Sequence, residues 1–372
     1  MIYLDNAATT KPIQSIIENN AYLYSDLFFN PSSMYGKGIE TKKVIDIARS
    51  SILKKLPQNY DLVFTSCGTE ADNTAIFSSA KRGNVITTLG EHSAVYECFN
   101  ELKKRGFDVR FAPVNKDGSV NKEGLLALID SKTTFVSIVH VNNETGAIND
   151  INALSTKIKS INPNVIFHSD GIQAFGKIPY TLSDSVDLYS VSAHKIGATK
   201  GVGALIKKKK INLSPLLLGG GQESGIRSGT ENVFGIKVFA DATDKAFSSL
   251  RENFEKLKKI KELALQKLDK ELIETISPSS GSPYILTLSA SKLRGEVIMH
   301  MLEEFGVIIG TGSACSSKNP HSRILKACGY DNSILDGVIR LSFCSQTTED
   351  EVIFAIEKLN ECVKRLKGIM KK

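Results

Sequence analysis

The residues of this chain best suited to chemistry stand directly behind short β-rich runs. Ser192-Ala193-His194-Lys195 follows Leu188-Tyr189-Ser190-Val191. An isolated ammonium is costly to bury and tends to be consumed in chemistry, so a lysine at a strand end is a candidate for covalent work. A strand end that simply reaches the surface would give the same pattern. Asp170 follows Val165-Ile166-Phe167-His168, with Gln173 three residues on. A buried aspartate needs a partner, either a protonated heterocyclic nitrogen or a structural cap. After the run ending at Thr65 comes Ser66-Cys67-Gly68-Thr69-Glu70 and then a helical pattern. Small residues there expose backbone N–H groups at a helix N-terminus, which suits a phosphate, although an ordinary turn before a capped helix reads alike. His92 lies four residues beyond the run ending at Thr88. By itself such a histidine is more often a satisfied structural residue.

Taken singly these positions are ambiguous; together they meet one demand. Pyridoxal phosphate requires a lysine for its covalent linkage, an aspartate against its pyridine nitrogen and a phosphate cradle, and all three occur here on successive strand ends. His92 would then lie on the ring face. Rival sites are thin: the sequence has no G-x-x-x-x-G-K-[ST], no H-E-x-x-H and no G-x-S-x-G. The glycines Gly219 to Gly221 run into Gln222-Glu223, not into a lysine.

The elements that must position these groups are legible as an alternation. Runs at Leu62 to Thr65, Asn84 to Thr88, Asp108 to Pro113, Thr133 to Val139, Val165 to His168 and Asp187 to Val191 read as strands. Between them, helical stretches are expected near 70 to 81, 92 to 105, 121 to 129 and 150 to 160, and an earlier one from Ile39 to Leu56 is closed by Pro57. Strands taking turns with helices predict an α/β fold with a mainly parallel sheet covered on both faces, whose ligands sit beyond the carboxyl ends of the strands. After Gly221 the texture changes to one long charged helical region, about Glu231 to Glu271, with a domain boundary near residue 250. A shorter α and β set follows, and its last helix opens on Thr348-Glu349-Asp350-Glu351, which fits a capping box.

Composition bounds the function class. With 372 residues, 41% hydrophobic and 23% charged, the chain is long enough for about two globular domains. The 47 basic and 40 acidic residues leave +7, spread along the chain apart from Lys207 to Lys210, which reads as a solvated surface and not as a nucleic-acid footprint. No run approaches the roughly 18 apolar residues of a membrane span. The start Met1-Ile2-Tyr3-Leu4-Asp5 lacks a basic signal region, so a cytoplasmic protein without a membrane partner is expected. The six cysteines, at 67, 98, 315, 328, 344 and 362, show neither C-x-x-C pairs nor regular spacing; free thiols and no metal site are expected.

Ordered motifs along nearly the whole chain resemble the cysteine desulfurases of the NifS/IscS-like group, within the class V aminotransferase family of fold-type I pyridoxal-phosphate enzymes. They include Leu4-Asp5-Asn6-Ala7-Ala8-Thr9-Thr10, Gly68-Thr69-Glu70-Ala71-Asp72-Asn73, Glu91-His92, His140-Val141-Asn142-Asn143-Glu144 and Asp170 with Gln173. Further on come Ser192-Ala193-His194-Lys195, Arg227-Ser228-Gly229-Thr230-Glu231-Asn232, Gly312-Ser313-Ala314-Cys315-Ser316-Ser317 and Ile339-Arg340. The resemblance implies a seven-stranded-type, mainly parallel sheet sandwiched by helices in a large cofactor-binding domain, residues 14–250. Residues 1–13 together with 251–372 would form a smaller α+β domain.

The resemblance also implies roles. Lys195 would hold the cofactor covalently and move protons, Asp170 would keep its ring nitrogen protonated, Gln173 would bond the ring hydroxyl oxygen, and His92 would stack on the ring and act in acid and base steps. Gly68, Thr69, Ser192 and His194 would bind the phosphate, joined by Thr230 from a second subunit of a homodimer. Asn143 and Arg340 would hold the substrate carboxylate. Cys315, in a stretch of small and polar residues, would be the nucleophile that takes sulfur from L-cysteine as a persulfide, leaving alanine; its thiol, with an ordinary pKa of about 8.5, must first lose its proton. A sulfur-acceptor protein, either an iron–sulfur scaffold or a tRNA-thiolation enzyme, would follow. Selenocysteine lyase or aminotransferase chemistry, and a catalytically idle sulfur-relay subunit, are the alternatives. The sequence departs from the family at Cys67, where glycine is usual, at Cys344-Ser345, where Gly-Arg is common, and in having little C-terminal tail.

Overall fold

The computed structural model describes residues 1–311 and 321–370. Strand β1 (Ile2–Leu4) opens the chain. Seven further strands form one sheet: β2 (Tyr60–Thr65), β3 (Asn84–Thr88), β4 (Asp108–Ala112), β5 (Thr133–Ser137), β6 (Ile166–Asp170), β7 (Leu188–Ser192) and β8 (Gly203–Lys208). Their order is β2-β8-β7-β6-β5-β3-β4. Strands β4, β3, β5, β6 and β7 run parallel, while β8 is antiparallel to both of its neighbours.

Alternation along the strands divides the large core between two faces. Val85, Phe135, Leu188 and Leu205 pack under the helices Gly68–Ser79 and Ser93–Lys104. Ile86, Val136, Phe167 and Val191 face the opposite way, with Ile45, Ile158 and Phe239 of the helices Gly36–Leu53, Ile151–Ile161 and Val233–Ser248. A sheet covered on both sides demands the near-continuous apolar runs noted in the sequence.

Two expectations change. The stretch Gly203–Lys208 forms a fully buried strand, although its end belongs to the lysine run read as solvated surface. Lys207 and Lys208 are only 7% and 4% exposed. Their ammonium ends find local acceptors: Lys207 Nζ donates to Ile211 O at 3.1 Å, and Lys208 reaches the Asp184 carbonyl and the Asp187 carboxylate. Long aliphatic stems fill the core while the charges are satisfied at its margin. The long helical region also breaks at Ser249, into Val233–Ser248 and Leu250–Lys267. The first arm packs on the large sheet through Phe234, Val238 and Phe239. The second packs Leu257, Ile260 and Ala264 into a different core, and one straight helix could not aim its stripe at both.

That second core surrounds the five-stranded sheet β1-β11-β12-β10-β9, built from β9 (Glu274–Thr275), β10 (Ile285–Ser289), β11 (Val307–Thr311) and β12 (Val338–Ser342) together with β1. Strand β1 lies parallel to β11, Leu4 opposite Ile309. The helix Glu349–Met370 closes the sheet and begins with the expected reciprocal cap: Thr348 N donates to Glu351 Oε2 at 3.0 Å and Glu351 N to Thr348 Oγ1 at 3.3 Å. The described cysteines, 67, 98, 328, 344 and 362, are all free thiols.

Phe239 is fully buried against Phe175, ring centres 6.3 Å apart. Phe239→Ala is expected to cost about 3–5 kcal/mol, read as a lowered urea midpoint. A midpoint within error of the parent would show that this helix does not anchor the large sheet.

Candidate active site

The carboxyl ends of β6 and β7, the N-terminus of the helix Gly68–Ser79 and the segment that follows β1 converge on one region. Asn6 and Ala7 are tied to the second sheet, where Asn6 Nδ2 donates to Ser342 O at 2.9 Å and Ala7 N to Ser342 Oγ at 2.8 Å. A few residues later the chain is tied to the first sheet: Thr10 N and Oγ1 donate to His194 O at 2.9 and 2.8 Å, and Ile13 N to Gly197 O at 2.8 Å. The stretch between them is stretched over the candidate site like a strap.

Lys195 ends the short 3₁₀ turn Ala193–Lys195 behind β7. Its Nζ donates to Ala7 O at 2.6 Å and Ala8 O at 2.7 Å, so the strap's carbonyls fix the amine in place. Gln173 Nε2 donates to the same Ala7 oxygen at 2.8 Å, while its Oε1 accepts from buried Lys177 at 2.8 Å. His194 Nδ1 pairs with Thr9 Oγ1 at 3.1 Å.

Asp170, 4% exposed, is the last residue of β6. Its Oδ1 accepts from Ile172 N at 2.9 Å. Burial raises its proton affinity, against the Ile172 hydrogen bond and the Lys195 charge, which hold it down. Such a carboxylate gains most from a cationic partner at its remaining oxygen. Two registers along, His168 on the same face bridges Ser137 Oγ at 2.8 Å and Ser190 Oγ at 2.9 Å.

Gly68 begins the helix that follows β2. A Cβ there would lie 2.3 Å from Ile172 Cδ1 and 3.2 Å from Ser192 Cβ, so a larger residue would have to displace the Ile172 side chain for the helix N-terminus to stay this close to β7. Ser192 Oγ is buried beside it without a hydrogen-bond partner, as an anion-binding hydroxyl would be before its ligand arrives. Thr69 is exposed and borders the same open cleft as His92. A helix N-terminus with an orphaned hydroxyl suits the phosphate of pyridoxal phosphate, a buried aspartate suits its ring nitrogen, and a lysine at the adjacent strand end suits its covalent linkage.

His92 caps the helix Ser93–Lys104, its Nδ1 accepting from Ala94 N at 3.1 Å, which leaves the ring proton on Nε2. Burial first, then the charges of Lys195, Arg323 and Arg340, push its pKa down to about 4. The ring is therefore neutral at pH 7. Glu91 next to it is fully buried, accepts from Thr88 Oγ1 at 2.7 Å and Val139 N at 3.0 Å, and is pushed up to about 8 by burial.

On the side of the second sheet, Arg340 in β12 donates from Nη1 to Asn143 O at 2.9 Å and from Nη2 to Asp5 Oδ1 at 2.8 Å. Its Nε and the Asn143 Oδ1 are buried without partners. Thus Asn143 meets Arg340 through its main chain. Thr230 is exposed, on the segment whose Arg227 pairs with Glu70 at 2.9 Å. Cys315 lies outside the described residues.

Two further residues here had no role expected of them: Asp5, which belongs to the motif Leu4-Asp5-Asn6, and Arg323. Arg323 donates to Leu89 O at 2.6 Å and to Glu91 O, and its guanidinium stands 3.7 Å over the Tyr96 ring. Neither residue stands behind a strand of the large sheet, where strand-end spacing marks ligand-facing positions. Cofactor-free protein followed by NMR is expected to show His92 titrating near 4; a midpoint above 6 would mean that the ring is open to water.

Known proteins place this architecture. The family model for aminotransferase class-V matches residues 2–353. A cysteine desulfurase of Nostoc sp. (strain PCC 7120) is 34% identical, covering 99% of this chain and 94% of its own. A NifS/IcsS protein homolog of Lactobacillus delbrueckii subsp. bulgaricus is 38% identical over 96% of this chain and 97% of its own. Among solved structures, a NifS-like protein superposes with a TM-score of 0.91 at 34% identity, covering 98% of this chain and 99% of its own. SspA in complex with cysteine gives 0.79 at 25% identity, over 94% of this chain and 100% of its own. A family match to residues 2–353, relatives about a third identical over nearly the whole chain and a solved NifS-like structure that superposes over 98% of it agree: the chain belongs to the class V aminotransferase family, among its NifS-like members.

Proposed function

We propose that this protein is a pyridoxal-phosphate-dependent cysteine desulfurase, converting L-cysteine to L-alanine and loading the sulfur onto Cys315 as a persulfide. The observation that carries the cofactor assignment is the orphaned Ser192 hydroxyl at the Gly68 helix N-terminus, with Lys195 and Asp170 at neighbouring strand ends. When bound, the cofactor supplies an electron sink that labilises the substrate's Cα–H bond. Lys195 would hold it and carry protons to and from the substrate carbon. Asp170 would keep its ring nitrogen protonated, Gln173 would face its ring hydroxyl, and Gly68, Thr69, Ser192 and His194 would bind its phosphate. His92 offers a neutral ring to stack on and holds a proton at Nε2.

Arg340 and Asn143 would receive the substrate carboxylate; the buried, unpartnered Nε of Arg340 supports this. Cys315 then attacks the substrate sulfur as a thiolate. An S–S bond forms as the substrate's C–S bond breaks, the electron pair of that bond stays on carbon, and protonation there gives the methyl group of alanine. No external oxidant is needed, because the sulfur is oxidised to the persulfide level as the substrate carbon, keeping the C–S electron pair, is reduced to a methyl group. Residues 14–250 would be the cofactor platform, and 1–13 with 251–372 the unit that brings Arg340 and Cys315 to it.

The protein would work in the cytoplasm as a homodimer that passes sulfur to an iron–sulfur scaffold or a tRNA-thiolation enzyme. Support for a second copy comes from large apolar side chains left at the surface: Tyr24, Phe28, Met34 and Tyr35 near one end of the chain, and Leu218 beside the segment that carries Thr230, the last 85% exposed. Sedimentation equilibrium of the loaded protein is expected to give twice the 40.6 kDa chain mass; a monomer would remove Thr230 from the phosphate site.

Single-turnover persulfide formation from labelled L-cysteine tests the chemistry. Cys315→Ala is expected to keep the cofactor's visible absorbance and lose the protein-bound label, while Lys195→Ala loses both. Label retained on the Cys315→Ala protein at the parent rate would defeat the nucleophile assignment, and retained absorbance in Lys195→Ala would defeat the cofactor assignment.

A further inference from the structure

Arg340 is not held by the second sheet alone. The guanidinium lies 10% exposed in its side chain, close to the full desolvation at which an arginine needs its donors satisfied, and Asp5 supplies one acceptor at 2.8 Å. The pair is built into the fold at close quarters. Gly310 of β11 stands opposite Arg340 in register, and a Cβ on Gly310 would fall 2.7 Å from Asp5 Oδ1 and 3.1 Å from Arg340 Nη2. Asp5 in turn is fixed from behind, since Tyr3 Oη donates to both Asp5 O and Thr9 O at 3.0 Å and Asp5 makes a bridge to Ser342.

With Nη2 turned to Asp5 and Nη1 to the Asn143 carbonyl, two of the five N–H groups are used and the plane of the fork is set. The Nε–H stays buried without a partner. A planar donor fork recognises a carboxylate only when its plane and edge are aimed, and a flexible arginine loses that advantage. Asp5 also offsets part of the guanidinium charge, so that a bound carboxylate meets an oriented site and not a free cation.

We propose that Asp5 is a positioning residue for substrate recognition, acting through Arg340 to aim its remaining N–H groups at the α-carboxylate of the amino-acid substrate. The inference rests on the reading that Arg340 receives that carboxylate, and it adds a residue of the N-terminal strap, from outside the large sheet, to the specificity machinery. Asp5 touches Arg340 and not the reacting atoms.

The test is a double-mutant cycle on the cofactor-loaded protein, with KM and kcat for L-cysteine and the dissociation constant of L-alanine, which keeps the carboxylate and lacks the thiol. Asp5→Ala is expected to raise both KM and the L-alanine constant by roughly tenfold or more, with kcat changing far less. Asp5→Asn, which keeps an oxygen acceptor of the same shape, is expected to recover most of the binding. In Arg340→Gln the further change Asp5→Ala should add little, because its route of action is already gone. Cofactor absorbance and the urea midpoint of each variant show that the site is assembled; if Asp5→Ala does not load, Asp5→Asn and Asp5→Ser carry the comparison.

Additive losses in the double variant, a KM within twofold of the parent in Asp5→Ala, or Asn performing no better than Ala would each overturn the proposal while leaving Arg340 as the carboxylate site. An Arg340→Gln protein with unchanged KM and unchanged L-alanine binding would instead overturn the underlying reading of Arg340. The two failures are therefore distinct.

Discussion

The short stretch from Asp5 to Thr10 is the constraint on which the candidate site depends. Its two carbonyls at Ala7 and Ala8 accept from Lys195, Ala7 also accepts from Gln173, Thr9 meets His194, and Asp5 meets Arg340. Both ends of the stretch are anchored, one on Ser342 of the small sheet and the other on His194 and Gly197 beside the large one. Backbone carbonyls in a tied-down segment are rigid acceptors, so each long polar side chain loses rotamer freedom to a frame that is already ordered. The two sheets are thereby tied through one segment, to which Lys195 and Arg340 both bond.

Around this frame the electrostatics follow from exclusion of water. His92, His140, His168 and His194 all have their pKa pushed down, to about 4, 3, 3 and 4, with burial the largest cause in every case. Carboxyls move the other way: Asp72, Glu91 and Asp170 are raised, burial again leading, and Asp72 feels the charge of Asp170 as well. Three acids that near one another in a dry interior cannot all be charged. Asp170 is the one of them facing Lys195, whose charge favours its ionised form. The raised acids and the neutral imidazoles leave the cationic side chains Lys195, Arg323 and Arg340 as the charges that bear on His92. A site of that kind strengthens whatever ionic contact is made inside it.

Much of this was readable from the residues. The six β-rich runs correspond to β2 to β7, because strands buried on both faces leave apolar runs that polar surface strands do not. Strand β8 escaped because its apolar core is short and its last residues are lysines, whose stems are buried while their charges find Asp187 and nearby carbonyls. The sequence suggests a boundary near residue 250 but inside one continuous helix, because the helical periodicity runs through Ser249; the presence of two separate cores is what makes the break there necessary. Asp5 escaped because its chemistry is made by a partner 335 positions away.

What the sequence determined by itself is local: which segments are strand or helix, and which polar residues stand at strand ends where a ligand is reached first. Family motifs carried by those residues then specify the kind of cofactor they suit. The tertiary structure alone decided the long-range pairings, among them Asp5 with Arg340, Lys195 with the Ala7 carbonyl, and an orphaned Ser192 beside the Gly68 helix. The reason is physical. A hydrogen bond or ion pair between distant positions leaves no periodicity in the chain, since its geometry exists only after the packing of both sheets has brought its two halves within about 3 Å.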